Sequence, residues 1–516
     1  MPEKAIKKLN SYILPQWKLC FFAALLVGLV AHIYKITGWL PNWDSLVFRY
    51  DPQNMIGLGR WFLPIACGFS SFYDLPFLNG IIAILFHGLS AVCICRILKV
   101  EKKITAVLIG AVVVSFPTVT SVMMYNYVAD GYSIAFFFST LAAFFMTKEK
   151  PLYIPAAALI ALSTGIYQAY ITVTITLVLL KLINEMVFEG ATLKDIFKKT
   201  VFMMLTGIAG VVLYSLILKV VLSVSSAELL DYQGANAAFS LSNVNLPASL
   251  YHVKETFRKC FFDLSGGVNV YIVLNVLVLL FTAAYYLKQI VCNKLYKKPI
   301  SLLTVIILAL FLLFGAGALA FINASVDYHN LMLMGYVAFY LIFLILYEKG
   351  VDKNERFAAF KCWSVLLLAV VIIANQVVIA NVSYHKAQMA YEKSYGVLIR
   401  IADRIEQTPE AENCDKILVL GALDNSEAYS VNLTPDITGI TDGYIIRKDD
   451  EMVGQSVLSS ALSDYCGKDY EFLSGDAKKT LAASEEVKNM EKWPHKNSVV
   501  VIDNTVVIKL NSEGEG

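Results

Sequence analysis

A succession of apolar runs, each close to the length needed to cross a lipid bilayer, constrains this chain more than any other feature. A hydrocarbon core of about 30 Å needs about 20 apolar residues of helix. Runs of that kind lie at approximately 17–38, 75–98, 104–124, 128–147, 151–167, 168–187, 199–223, 268–289, 299–323, 328–348 and 362–382. They predict a mainly α, polytopic transmembrane helical bundle of about eleven spans. Of the 516 residues only 16% are charged, against about 25% in a soluble domain. Between 151–167 and 168–187, Tyr167-Gln168-Ala169-Tyr170 is either a tight turn or the middle of something longer. The first run has no small-residue cleavage pattern after it, so it reads as a span and not as a signal peptide.

Orientation follows from the basic residues, because cytoplasmic loops are richer in Lys and Arg. With the N-terminus inside, the inner segments hold 22 basic residues and the outer loops 6. That asymmetry puts the N-terminus in the cytoplasm of a cell membrane and everything after Ser383 outside. The expected domains are therefore 1–382, a membrane body with long outer loops at 39–75 and 225–267, and 383–516, a small extracytoplasmic α/β domain.

The tail differs from the body in charge: 23 of the 41 acidic residues follow Ser383, but only 14 of the 43 basic ones. Tyr391, Tyr395, Leu398, Ala402 and Ile405 recur at helical spacing, which predicts an amphipathic helix running straight on from the last span. Lys416–Leu420 reads as a buried strand. Val499–Ile502 and Thr505–Leu510 read as a hairpin, with Asp503-Asn504 as its tight turn. Cys414 and Cys466 are the tail's two cysteines, and an oxidising compartment would permit them to pair. No Cys/His cluster has metal-ligand spacing, and no internal repeat of the kind found in many secondary transporters is evident.

The two long outer loops would build a vestibule at the membrane surface. In the first, Asn42-Trp43-Asp44, Arg49-Tyr50-Asp51, Gly59-Arg60-Trp61 and Phe72-Tyr73-Asp74 interleave carboxylates, arginines and aromatics. Glycosyl transfer uses these types: a carboxylate to take a hydroxyl proton, cations to hold a phosphate leaving group, and aromatic faces for a sugar ring. The plainer reading makes Arg49 and Asp51 an ion pair and Trp43 and Trp61 interfacial anchors. Elsewhere Asp130 opens the fourth span, where a helix N-terminus favours negative charge, and Tyr125 and Asn126 could line the vestibule. Tyr167-Gln168 is either a turn or a wall of the site. In the second loop Tyr251, Lys254 and Arg258 share a helical face suited either to a lipid phosphate or to anionic headgroups. Asn323, Ser325, Asp327 and His329 crowd a later outer connection, and His329 either binds phosphate or caps a helix.

In that order, Asn42-Trp43-Asp44, Asp51 and Gly59-Arg60-Trp61 after a first span resemble the start of bacterial Gtr-type (GtrII-like) O-antigen and surface-glycan glucosyltransferases. Ser115-Phe116-Pro117 to Tyr125-Asn126, and Tyr167-Gln168 after Ser163, are similar to later segments, so the resemblance covers roughly residues 20–340. It implies a GT-C-type enzyme that takes a hexose from undecaprenyl (polyprenyl) phosphate and passes it to a cell-surface glycan. Asp44 would be the general base and Arg60 a phosphate contact, while Asp51 would orient the acceptor or a neighbouring Arg. Arg49, Arg258, Lys254 and His329 would add to the donor-phosphate site. Trp43, Trp61, Tyr125, Asn126, Asp130, Tyr167 and Gln168 would bind sugar and acceptor. Because a monophosphate departs, the chemistry requires no metal or other cofactor. Membrane lipids, a polyprenyl-phosphate glucosyl synthase and a flippase of the same pathway are the implied associates, and no nucleic acid is. A flippase of lipid-linked sugars would share the topology but would want ionisable groups deep within the spans, where the residues are almost all apolar. A non-enzymatic assembly partner, binding through its tail, is the second rival.

Overall fold

The computed structural model describes residues 2–4, 11, 13–51, 55–230, 245–263, 268–322, 328–349, 358–421 and 451–510, apart from the side chains at 43, 322 and 451–457. The expectations for Asn323, Ser325 and Asp327, and for the Trp43 side chain, lie outside that description. The described residues form two compact units. The first holds those up to Gly38 and from Tyr50 to Val382; the second holds Trp39–Arg49 and those from Ser383 onward.

The first unit is helical. Its helices are α1 (Pro15–Ile36), then, after the second unit's short α2 (Trp43–Val47), α3 (Leu63–Cys67), α4 (Pro76–Ile97), α5 (Lys103–Ser115), α6 (Pro117–Met124) and α7 (Asn126–Thr147). They continue as α8 (Tyr153–Ile166), α9 (Ile171–Phe188), α10 (Leu193–Ser225), α11 (Leu246–Phe261), α12 (Val270–Cys292), α13 (Pro299–Ala316), α14 (Val337–Lys349) and α15 (Ala358–Glu406). Proline at the first turn, where its missing N–H costs nothing, starts α1, α4 and α13. Asparagine or threonine side chains cap α10, α11 and α12 by accepting from the backbone three residues on.

Every apolar run of the sequence contains a helix. Among the described residues eight helices are long and apolar enough to cross a membrane, or nine if α5 and α6 count as one span bent by 42°. The bend has a local cause: Pro117 cannot continue the helix from Ser115. Two runs fall short. Helix α8 has 14 residues and α14 has 13, and at about 1.5 Å per residue neither spans a 30 Å core.

Close packing within this unit runs α1 against α4 and α5, and α7 against α4 and α8. Gly110 on α5 sits on the backbone carbonyl of Cys20, so any larger residue there would push α1 away. The outer faces of α10, α12 and α13 stay uncovered, with only 28% of each apolar window buried. Exposed Leu205, Ile208, Leu216, Leu303, Leu310 and Phe311 mark these faces. Surface of this extent and kind is stable against lipid and costly against water.

In the second unit, the last part of α15 contributes Leu398, Ile401 and Ile405 to a core shared with Leu46 of α2, Ile417, Leu458, Leu462 and Ile508. The sheet comprises β1 (Lys416–Leu420), β2 (Glu471–Phe472), β3 (Val499–Ile502) and β4 (Thr505–Lys509), in the order β2-β1-β4-β3. Strand β1 pairs in parallel with β2 and β4, while β3 and β4 form the expected hairpin. Its turn residues Asp503 and Asn504 both take positive φ, 48° and 55°, the conformation that matches strand twist and that Asp and Asn tolerate. Helix α16 (Glu451–Cys466) packs against α2. Cys414 and Cys466 are free thiols.

Candidate functional site

Two of the singled-out motifs meet in the first unit. Helix α8 ends at Ile166, Tyr167 is extended at φ −156°, and Gln168–Tyr170 forms a single 3-10 turn before α9 begins. Tyr167-Gln168 is therefore a turn, and it holds the Gly59-Arg60-Trp61 segment. Gln168 Nε2 donates to Leu58 O at 2.9 Å and to Tyr214 Oη at 3.3 Å, and Tyr214 Oη donates to Gly59 O at 3.1 Å. Gly59 has φ +75°, and a Cβ there would lie 2.5 Å from Tyr214 Oη. The turn thus needs glycine both for its conformation and for its space.

This clamp fixes the next two side chains. The Arg60 guanidinium lies 4.8 Å from the centre of the Tyr167 ring and donates from Nη1 to Tyr132 Oη at 3.0 Å. Tyr132 and Tyr167 stack with centroids 4.5 Å apart, and Tyr170 meets both edge-on. Trp61 packs on Gly165, whose missing Cβ makes room for the indole, and its Nε1 is buried without a hydrogen-bond partner among the described residues. The result is a partly exposed cation on an aromatic platform beside a half-buried tryptophan.

A second group gathers at the start of α7. Asn126 Nδ2 donates to Asp74 Oδ1 at 2.5 Å, and Asn79 Nδ2 donates to Asn126 O at 2.9 Å. Buried Lys35 lies within electrostatic reach of Asp74. Asp130 does not open α7 as its cap. It sits in the second turn, fully buried, where its Oδ1 accepts from Gly131 N at 2.8 Å and its carboxylate lies beside Ser70 and Cys67. A backbone N–H inside the bundle takes the place of the solvent that a cap would have used. Burial, and then the nearby Asp130 charge, push the Cys67 thiol well above its usual range. Tyr125 is half-buried, and α6 before it packs against the turn Asn330–Met332, next to His329. The His329 side chain makes no cap bond to that turn.

The remaining singled-out residues lie elsewhere. Asp51 is partly exposed in the first unit; its N–H donates to Phe72 O, and the adjoining Tyr50 and Tyr73 rings meet at a tilt of 33° with centroids 4.2 Å apart. Asp44 belongs to the second unit, in the first turn of α2, which Asn42 caps by accepting from Ser45 N at 2.9 Å. Arg49 also belongs to the second unit, and its ion pair is with Asp464 at 3.1 Å. It lies over the Trp39 ring and near Tyr465, to which Trp39 donates. Arg258 binds Glu255 at 2.8 Å and holds that carboxyl below its usual range, while Lys254 lies 3.8 Å from the same group and near the Tyr251 ring.

Sequence reasoning missed Tyr132, Tyr214, Lys35 and the role of Asp74. Tyr132 and Tyr214 sit within apolar helices and read as core. The available signal was a phenol where phenylalanine would serve, since a buried Tyr O–H generally finds a partner. The expectation that positions within the spans are almost all apolar also misses His32 and His87, both fully buried and bonded to carbonyls of Val114 and Ala83.

These features define a mainly helical protein with many apolar helices and a stacked, clamped arginine among aromatics. The chain belongs to the glucosyl transferase GtrII family, which matches residues 33–323. The match contains the Gly59–Trp61 turn, the Tyr167–Gln168 clamp and the Asp74–Asn126 group, and it ends before α15. The family is one of glucosyltransferases, enzymes that take a sugar donor and a glycan acceptor. No curated protein and no solved structure matches the chain.

Proposed function

We propose that this chain is a polytopic GT-C-type membrane glycosyltransferase acting on the extracytoplasmic face. It moves a hexose, glucose by family, from a polyprenyl-phosphate donor to a cell-surface glycan. The observation that carries the reading is Arg60. A guanidinium stacked on Tyr167, bonded to Tyr132 and set on a turn that two further side chains hold is suited to a phosphate oxygen. Trp61 and the Tyr132–Tyr167 stack offer ring faces of the kind that pack on a sugar.

In the proposed reaction Asp44 takes the proton of an acceptor hydroxyl as its oxygen attacks the anomeric carbon. A new C–O bond forms, the bond from that carbon to the phosphate oxygen breaks, and polyprenyl phosphate leaves with the electron pair against Arg60. Of the other cations, Arg49 is met by Asp464 and Arg258 by Glu255. Tyr125, Asn126 and Gln168 bound the space for sugar and acceptor. Lys254 supplies further positive charge, and His329, beside the turn that α6 packs on, a ring nitrogen for a phosphate oxygen.

A second reading makes Asp51 the base, favoured by its partial exposure in the same unit as Arg60. A transfer assay with labelled polyprenyl-phosphate glucose separates the two. Asp44→Asn is expected to lower turnover by at least about 100-fold, as loss of a general base does, with Asp51→Asn milder. The reverse order moves the base to Asp51, and full turnover by both variants removes the base assignment altogether.

A further inference from the structure

Helix α7 carries Asp130 near its start, and its 22 residues rise about 33 Å to its far end. There, a cavity of about 780 Å³ opens between the ends of α4 and α7, the loop into α8, and α9 and α10. Nothing in the transfer reaction uses it. Six cations line it, Arg96, Lys99, Lys148, Lys150, Lys181 and Lys199, against three carboxylates.

Of these three, Glu101, Glu149 and Glu185, the last is already taken. Glu185 accepts Lys181 at 3.4 Å and Lys199 at 2.6 Å. Glu189, just behind, accepts Lys99 at 2.9 Å, Lys181 at 3.5 Å and Lys349 at 2.7 Å. Two carboxylates thus serve four ammonium groups, and positive charge is left over. Arg96 is held in another way: its guanidinium lies 4.9 Å from the Trp17 ring centre and 4.1 Å from that of Phe144. No ion pair to Arg96 occurs among the described residues. Aromatic rings cover its faces, and its N–H edge is the part that can meet an acceptor.

We propose that this cavity binds a phosphate group, separately from the sugar-transfer site. Arg96 gives a rigid fork of donors, Lys148 and Lys150 add charge at the mouth, and Trp17, Phe144 and Met203 supply an apolar wall for a lipid chain. Basic pockets between membrane helices recognise phosphate headgroups on these terms.

The test uses the full chain in nanodiscs of phosphatidylcholine doped with phosphatidylglycerol, with retained lipid counted by native mass spectrometry. Lys148→Gln/Lys150→Gln removes charge without touching the core and should weaken phosphatidylglycerol retention roughly thirtyfold. Lys294→Gln/Lys297→Gln, an equal charge change between α12 and α13, should leave it unchanged. Arg96→Lys, which keeps charge but loses the fork, should weaken it as well. Millimolar inorganic phosphate then separates the sources. Displacement of the lipid assigns the site to soluble phosphate esters too, and continued retention assigns it to a lipid-borne phosphate. Equal retention by the parent and Lys148→Gln/Lys150→Gln, or an equal loss in Lys294→Gln/Lys297→Gln, overturns the proposal.

Discussion

Replacing Gly59 by alanine tests the clamp that positions Arg60. Gly59 stands at φ 75°, ψ 10°, a region that costs an L-residue roughly 1–2 kcal/mol. The added Cβ would lie 2.5 Å from Tyr214 Oη and 2.9 Å from Gln168 Nε2. Relieving those contacts moves both side chains, at about 1–3 kcal/mol for overpacking. It also strains the hydrogen bonds they make, each worth about 0.5–1.5 kcal/mol. Gly59→Ala should therefore destabilise the chain by about 3–5 kcal/mol. Arg60 is the next residue, and a displacement of about 1 Å can cost a hundredfold in rate. Thermal unfolding in detergent and the transfer assay measure the two effects. Tyr214→Phe removes the nearer clashing atom, so Gly59→Ala/Tyr214→Phe should be less damaged than the two single effects added together. An alanine variant with parental stability and turnover, or strict additivity in the double variant, refutes the clamp.

Arg60→Lys should lower kcat/KM about tenfold to a hundredfold in the same assay, because an ammonium neither stacks on Tyr167 nor presents a fork; unchanged kinetics would remove Arg60 from the phosphate. Burial pushes the Glu189 carboxyl up, but hydrogen bonds from Lys349 and Lys99 outweigh it and hold it at about 2, against 4.5 unperturbed. Its contribution to stability is complete above pH 4.5 and is lost as pH falls through about 2. Acid titration should show Glu189→Gln less stable than the parent at neutral pH, the gap closing across that window; a constant gap refutes the pairing. In the hairpin, Asn504→Ala should cost roughly 1 kcal/mol at its positive φ and Asn504→Gly nothing, measured by protease susceptibility of the tail in the full chain.

What the sequence made legible follows from how local each cause is. Apolar length is local, so each run announced a helix. Where runs fell short, a local conformation intervened: Tyr167 turns extended after α8, and residues 330–336 form two 3-10 turns before α14. The β3–β4 hairpin was readable because Asp503-Asn504 sits between two β-branched strands. At the candidate site the motifs were readable one by one, while their meeting was not. Gly59 touches Tyr214 across 155 positions, and no periodicity reports such a contact. Arg49 showed the same limit. Asp51 lies two residues away and looked the natural partner, yet the ion pair is with Asp464.

That last pairing bears on the order in which the chain assembles. Trp39 and Arg49 reach Tyr465 across 426 and 416 positions, and Leu46 shares a core with Ile508. At about 5–20 residues per second of synthesis, the segment around Arg49 emerges some 20–80 s before its partners exist. The second unit is thus begun almost first and finished last, with hundreds of residues of membrane helix made in between. A chain cut at Val382 would strand Leu46 and Arg49, and a tail expressed from Ser383 would lack them. Neither half is a folding unit that can be lifted out of the gene.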